Sequence, residues 1–433
     1  MNIYKILKNQ DGKQAVVNIE TGEIISYWWS KIDISFLSQE QSEYYIAEND
    51  QKQRALFHKD KKEPVSQWWA GISQNGLLKG VSDYYVASKG DGTVAIFHKD
   101  NPDEPISQWW STIFYSSGLV AGESEYYIAV DQNRRLAIFH KENKDTPISQ
   151  WWKWIYEDGL VKRASVYYLA TNTNNQNAIF HKDNPDVPIS EWHAEILRYH
   201  GLIQGDSEYY IASKNKHTYA IFHKDNKEQP ISQWWDHISY VGLLVNQSEY
   251  YKVKKDAVQY AIFHKDNKDQ PVSQWWGDIH NEGLLSNQSN YYEVISLQGL
   301  HAIFHKDNPD TPISGWWRKI NADAVLLGQS QYYIVGDPNR KLAILHVNEG
   351  IEPVSQWWHW IYPDGLVNNQ SEYYMVENTH CMQAIFHKDN KDEPISEWWE
   401  KIYLNGLVRG HSEYYLAQNP YQQYAIFHKS SKT

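Results

Sequence analysis

Tryptophan pairs recur along this chain at one fixed interval, and that interval limits the fold more than any other feature. The first member of each pair falls at Trp28, Trp68, Trp109, Trp151, Trp192, Trp234, Trp275, Trp316, Trp357 and Trp398, always 40 to 42 residues apart. All 21 tryptophans lie in this one phase: ten first positions, nine second positions, and Trp154 and Trp360. Self-similarity at such a period marks an array of like supersecondary units. The 433 residues, which by length alone suggest two or three domains, are therefore read as a single repeat domain, 1–433. Residues 1–43 form an N-terminal capping unit, 44–411 nine regular units, and 412–433 a C-terminal capping hairpin. The first hairpin lacks the "FHKD" sequence and the last ends in "KSSKT"; divergent, polar ends suit the caps of a stack.

One unit reads "SEYYIAVDQNRRLAIFHKENKDTPISQWWKWIYEDGLVKRA" from residue 124. "EYYIA" and "LAIFH" are short, β-branched and aromatic and flank a polar tip, which predicts a β-hairpin. Alternation sets Tyr126 and Ile128 against Tyr127 and Ala129 on opposite faces. "PISQWWKWI" predicts a short helix capped by Ser149, whose hydroxyl would accept an orphan amide. An isoleucine always follows the first tryptophan by four residues, as in Trp68 and Ile72. That spacing predicts one buried helical stripe, with the first tryptophan in the core. The expected fold is a tandem-repeat solenoid, mainly β with short helices: ten ββα units of ~41 residues and a closing hairpin.

A longer period overlies the first. "DQNRRLAI" at 131–138 matches "DPNRKLAI" at 337–344, and 337 − 131 = 206 residues, or five units. If each unit supplies two strands, a β-propeller takes two units per four-stranded blade, and a five-unit block is then two and a half blades. That count favours the open solenoid over the alternative, a β-propeller.

The net charge of −12 argues against nucleic acid, which calls for a basic face. The lone Cys381 leaves no intrachain disulfide and no cysteine-based zinc site. No apolar run approaches the ~20 residues that span a bilayer, and the N-terminus lacks a signal-like apolar core. A cytoplasmic protein without a membrane role is expected. No catalytic signature of the phosphate-loop, nucleophile-elbow or zincin kind is present. Polar groups recur in register, whereas an active site needs unlike groups converging once. No enzyme, cofactor or metal site is expected. Ten histidines, from His58 to His428, form one per-repeat column, and the expected role is hydrogen bonding along the stack rather than metal binding.

Two sets of residues remain for recognition. The second tryptophans and their neighbours could stack on sugar rings: Trp69, Trp110, Trp152, Trp154, Trp235, Trp276, Trp317, Trp358, Trp360 and Trp399. Against that, a large amphipathic ring at a seam also fits plain packing between units. The hairpin tips differ from unit to unit, and so do the residues after the predicted helix, such as "FYS" at 114–116 and "RYH" at 198–200. Candidate partner contacts on the tips are Gln53, Arg54, Arg134, Arg135, Asn174, Asn175, His217, Tyr219, Tyr260, Arg340, His380 and Tyr421. Like frames with unlike edges suit a macromolecular partner along an extended surface, whereas a multivalent lectin would keep its contacts alike.

In layout, "GKQAVVNIETGEIIS" (12–26) and "WWDHISYVGLL" (234–244) resemble the bacterial WG-type tandem repeats. The Trp-Gly pair of that family is missing from the second strand, where this chain has "AIFH". The resemblance implies a binding or scaffold role and supplies no site. Some repeat proteins of that style look like immunity proteins for bacterial toxins. The expected function is non-catalytic binding of a protein partner, with a multivalent carbohydrate-binding protein as the alternative.

Overall fold

The computed structural model describes residues 3–256 and 258–431. Ala257, within the variable 254–260 tip, and Lys432 and Thr433 of the closing segment lie outside them. Among the described residues the chain forms one two-stranded and ten three-stranded antiparallel sheets. It divides into two compact units, residues 1–216 with 222–229, and 217–221 with 230–433.

In a representative repeat, Tyr126–Val130 lies between Thr112–Ile113 and Leu136–His140. Tyr127 stands opposite Phe139 and Ala129 opposite Ala137, so the predicted hairpin forms in register. Its tip is a three-residue loop: Arg134 N donates to Asp131 O, Asp131 N donates to Arg135 O, and Arg134 is left-handed at φ 61°. A type I turn closed by a left-handed residue matches the right-handed strand twist.

The predicted helix does not form. "PISQWW" instead runs antiparallel along the outer side of the "AIFH" strand. Ile148 N donates to Ile138 O, and Trp152 exchanges two backbone hydrogen bonds with Leu136. Ser149 is no helix cap. Its buried hydroxyl accepts the Ile138 N–H at 2.9 Å and donates to Gln150 O at 2.9 Å. The bond is repeated by Ser66, Ser107, Ser190 and others, and it supplies the acceptor that this irregular edge lacks. Each repeat thus provides three strands and a fourth extended segment, so counting two repeats per four-stranded blade no longer holds. The few helical turns fall later, as at Gly76–Lys79 and Ser35–Ser38.

Both faces of an interior sheet are covered. Tyr127, Ala129, Ala137 and Phe139 pack with Ile113, Leu119 and Val120 of their own repeat and with Val86 and Ile96 of the preceding one. On the other face, Ile128 and Ile138 pack with Ile155, Leu160, Val161 and Tyr168 of the following repeat. This is why the strands read as nearly continuous apolar runs rather than half-polar ones. Side-chain bonds tie neighbours together: Ser82 Oγ donates to Val120 O at 2.7 Å, and Gln108 Nε2 to Asp145 Oδ1 at 3.0 Å. The turn before the hairpin takes glycine in eight repeats; the other two have Phe36 and Ala324 there, in short helical turns. Gly118 has φ +66°, and a Cβ there would lie 2.3 Å from Tyr126 O, a conformation other residues rarely adopt.

Candidate functional site

The tryptophan pairs sit at seams between successive sheets. Trp110 is half-buried, its ring centroid 5.2 Å from Phe139 of the next sheet and 5.4 Å from Trp151 of the next pair. Trp69 and Trp152 repeat the pattern, at 5.1 Å from Phe97 and Phe180. The indole nitrogens of Trp69, Trp110, Trp152, Trp235, Trp276, Trp358 and Trp399 are buried, and that of Trp317 donates to Ser314 O. His193 takes the same seat, 5.2 Å from Phe222. The first tryptophans, expected in the core, lie at the rim of the seam; Trp28, Trp234 and Trp316 are exposed. Where tip cations reach them, as Lys89 does over Trp109 at 3.9 Å, one ring face is covered.

The histidine column is bonded within each repeat rather than along the stack. His140 Nε2 lies 3.4 Å from Glu125, and its Nδ1 accepts the Glu142 N–H. Tyr126 meets the same ring edge-on at 5.1 Å. Lys141 and His140 together hold the Glu125 carboxyl below its ordinary range through hydrogen bonds, that of Lys141 the stronger. The second tyrosine of each "YY" is fully buried, and burial pushes the Tyr127 phenol well up. The repeated side chains are therefore engaged in the frame.

The tips present unlike side chains on a common backbone. Lys52, Arg134, Asn175, Arg340 and Cys381 occupy the same left-handed position, and Asn49, Asp131, Asn172 and Asn378 open the same turn by accepting two backbone amides. Several predicted contacts are partly engaged. Arg54 pairs with Glu48 at 3.0 Å, Gln53 accepts from Asn49, Arg135 pairs with Asp131 at 2.8 Å, and Asn175 accepts from Lys153. Arg54 also lines a shallow cavity of about 190 Å³ with Lys31, Asp33, Glu48 and Gln74. Tyr260 lies beneath Lys252 and Lys254, and Tyr219 pairs through its backbone with Trp235. Asn174, Arg340, His217 and His380 are exposed, and Tyr421 is 84% exposed. Adjacent tips meet: Lys13 bridges to Asp50 at 2.9 Å.

A second variable surface follows the short outer strand. Trp154 is 45% and Tyr199 62% exposed, with Tyr115 exposed nearby. Phe114 lies 5.9 Å from Trp154, and Arg198 stacks over Tyr156 at 4.6 Å and Tyr199 at 5.0 Å while bonding Asp158 at 3.2 Å. These residues come from three successive repeats. The sequence singled out Trp154 and the variability of 114–116 and 198–200. It did not show that successive seams would bring Phe114 against Trp154 and Arg198 over Tyr156. Trp360, in the matching position 206 residues on, is also exposed, with Lys319 6.0 Å from its ring.

Two buried charges break the repeat pattern. The third residue of "YYIA" is apolar in eight repeats but is Lys252 and Glu293 in two adjacent ones. Lys252 Nζ donates to Ile279 O at 2.7 Å, and burial lowers its pKa, partly offset by Asp278. Glu293 is 3% exposed and meets two histidines: His301 Nδ1 at 2.7 Å and His280 Nδ1 at 3.7 Å.

No family model matches the chain, and no curated protein matches it. Among solved structures, the chain is similar to the computationally designed Ika8 protein at 7% identity, covering 70% of this chain and 94% of that one, with a TM-score of 0.25. It is also similar to Kluyveromyces lactis Hsv2 at 11% identity, covering 64% and 93%, with a TM-score of 0.24. Likeness at this level sets neither fold nor function.

Proposed function

We propose that the chain is a non-catalytic cytoplasmic scaffold that binds a protein partner through its hairpin tips and the outer-strand surface around Trp154. The observation that carries this reading is the division of labour among side chains. Most repeated residues are engaged in packing and in bonds within the frame, while exposed Trp, Tyr and Arg gather where repeats differ. Such residues dominate the binding energy of protein interfaces. The sugar-binding alternative draws less support, because the second tryptophans are half-buried with covered indole nitrogens. The test is affinity capture from a lysate of the source organism, with a parallel elution by mixed sugars. One stoichiometric protein, indifferent to sugar and weakened at least ~30-fold by Trp154→Ala with Arg198→Ala, is the expected result for hot-spot residues. A toxin domain as that protein would make the chain an immunity protein. Sugar-released glycoproteins, unaffected by those substitutions, would overturn the proposal.

An open tandem-repeat solenoid, rather than a β-propeller with one repeat per blade, is the arrangement we propose to go with it. A compact chain of this length has a radius of gyration of about 22 Å. The solenoid requires a value well above that in small-angle scattering, and a value near it rejects the solenoid.

A further inference from the structure

We infer that His280, Glu293 and His301 form a binding site for a divalent transition-metal ion of the Zn²⁺ class. The three belong to one sheet. Glu293 lies on the central strand Tyr291–Ile295. His280 follows the flanking strand Asp278–Ile279, and His301 opens the strand His301–His305. His280 N donates to Glu293 O at 2.9 Å, and Ile303 pairs with Glu293 two residues from His301. The register thus sets all three side chains on one face. Their ligand atoms all lie within 4.8 Å of one another.

The donor set is what such an ion takes. Two imidazoles and a carboxylate bind Zn²⁺ at ~2.0–2.2 Å in tetrahedral geometry and leave a fourth position open. Small side-chain rotations draw the three atoms to that spacing. The site also differs in kind from the histidine column, where each repeat offers one imidazole that is already bonded to its own strand. Here the unlike groups converge once. At the positions of His280 and His301, the preceding repeat has Ser239 and Tyr260 and the following one Asn321 and Leu342. A carboxylate at an apolar core position costs stability unless it is paired, and a cation between the histidines would pair it. Access is present as well. Both histidines are partly exposed, and Ile320, at the position where Ile155 is buried, is only half-buried.

The test uses the full chain, freed of metal by chelator and titrated with Zn²⁺ by calorimetry and with Co²⁺ by visible absorption. One tight equivalent per chain is expected, with the ligand-field bands of tetrahedral Co²⁺. Glu293→Ile restores the side chain common at this position and should fold; it is expected to weaken that equivalent at least ~10-fold, as the loss of a ligand must exceed that of an outer partner. His280→Ala should act likewise. Circular dichroism confirms that each variant is folded. Failure to find a tight equivalent, or the same equivalent in folded Glu293→Ile, would overturn the site and leave the three residues as a hydrogen-bonded pairing in the core.

Discussion

Trp110→Ala is expected to lower the stability of the chain by about 3 kcal/mol, the low end of the range for removing a buried aromatic. The low end applies because the ring is half-buried at a seam. It touches Phe139 and Trp151 of the next repeat and packs against the cluster built on Tyr127 and Ile113, so its loss loosens two repeats at once. Urea unfolding measures the change. The same substitution at Trp154, whose ring is exposed, should change stability by less than ~0.5 kcal/mol, as surface positions do. Equal, small effects at both positions would mean that the pairs are free platforms rather than joints, and the sugar-binding alternative would gain what the scaffold loses.

The hairpins were legible because two strong signals agreed in "EYYIA" and "LAIFH": β-branched and aromatic composition, and a short polar tip between them. The helix at "PISQWW" was a false reading with a clear cause. A spacing of four residues puts Trp and Ile on one face of a helix, but here the chain passes between sheets: Trp152 pairs with Leu136, while Ile155 pairs with Ala170 of the next sheet. Ser149 compounded the error. A buried serine that accepts a backbone amide looks the same in sequence whether that amide belongs to a helix start or to a strand across the sheet. The first tryptophan was placed in the core for the same reason, and it lies at the rim because the chain leaves one sheet and joins the next between it and the isoleucine.

The surface around Trp154 was half legible. Comparing repeats exposes which positions vary, and variation points to edges. It does not show which edges touch, because Phe114 reaches Trp154, and Arg198 reaches Tyr156, only through the stacking of successive sheets. The His280, Glu293 and His301 cluster was missed for a different reason. Repeat logic directs attention to residues in register, and the signal here is a departure from register: a carboxylate at the third residue of "YYIA". Lys252, one repeat earlier, carries the same signal.

In the presence of chelator, His301→Ala is expected to destabilise the 278–305 sheet by about 3 kcal/mol, the low end of the cost of unpairing a buried charge. The low end is again the right one, since His301 is partly exposed and water reaches the space it leaves. Glu293→Ile should show no loss, and a gain of up to ~2 kcal/mol, because replacing buried ionic partners by packed apolar side chains is often stabilising. In that background the histidine has no carboxylate to satisfy, so His301→Ala should then cost less than ~1 kcal/mol, a coupling typical of residues in one bonded network. Hydrogen exchange at the amides of Tyr291–Ile295 reads the effect locally. An equal cost of His301→Ala in both backgrounds would show that the imidazole stabilises the sheet by packing alone, and that Glu293 tolerates burial without it.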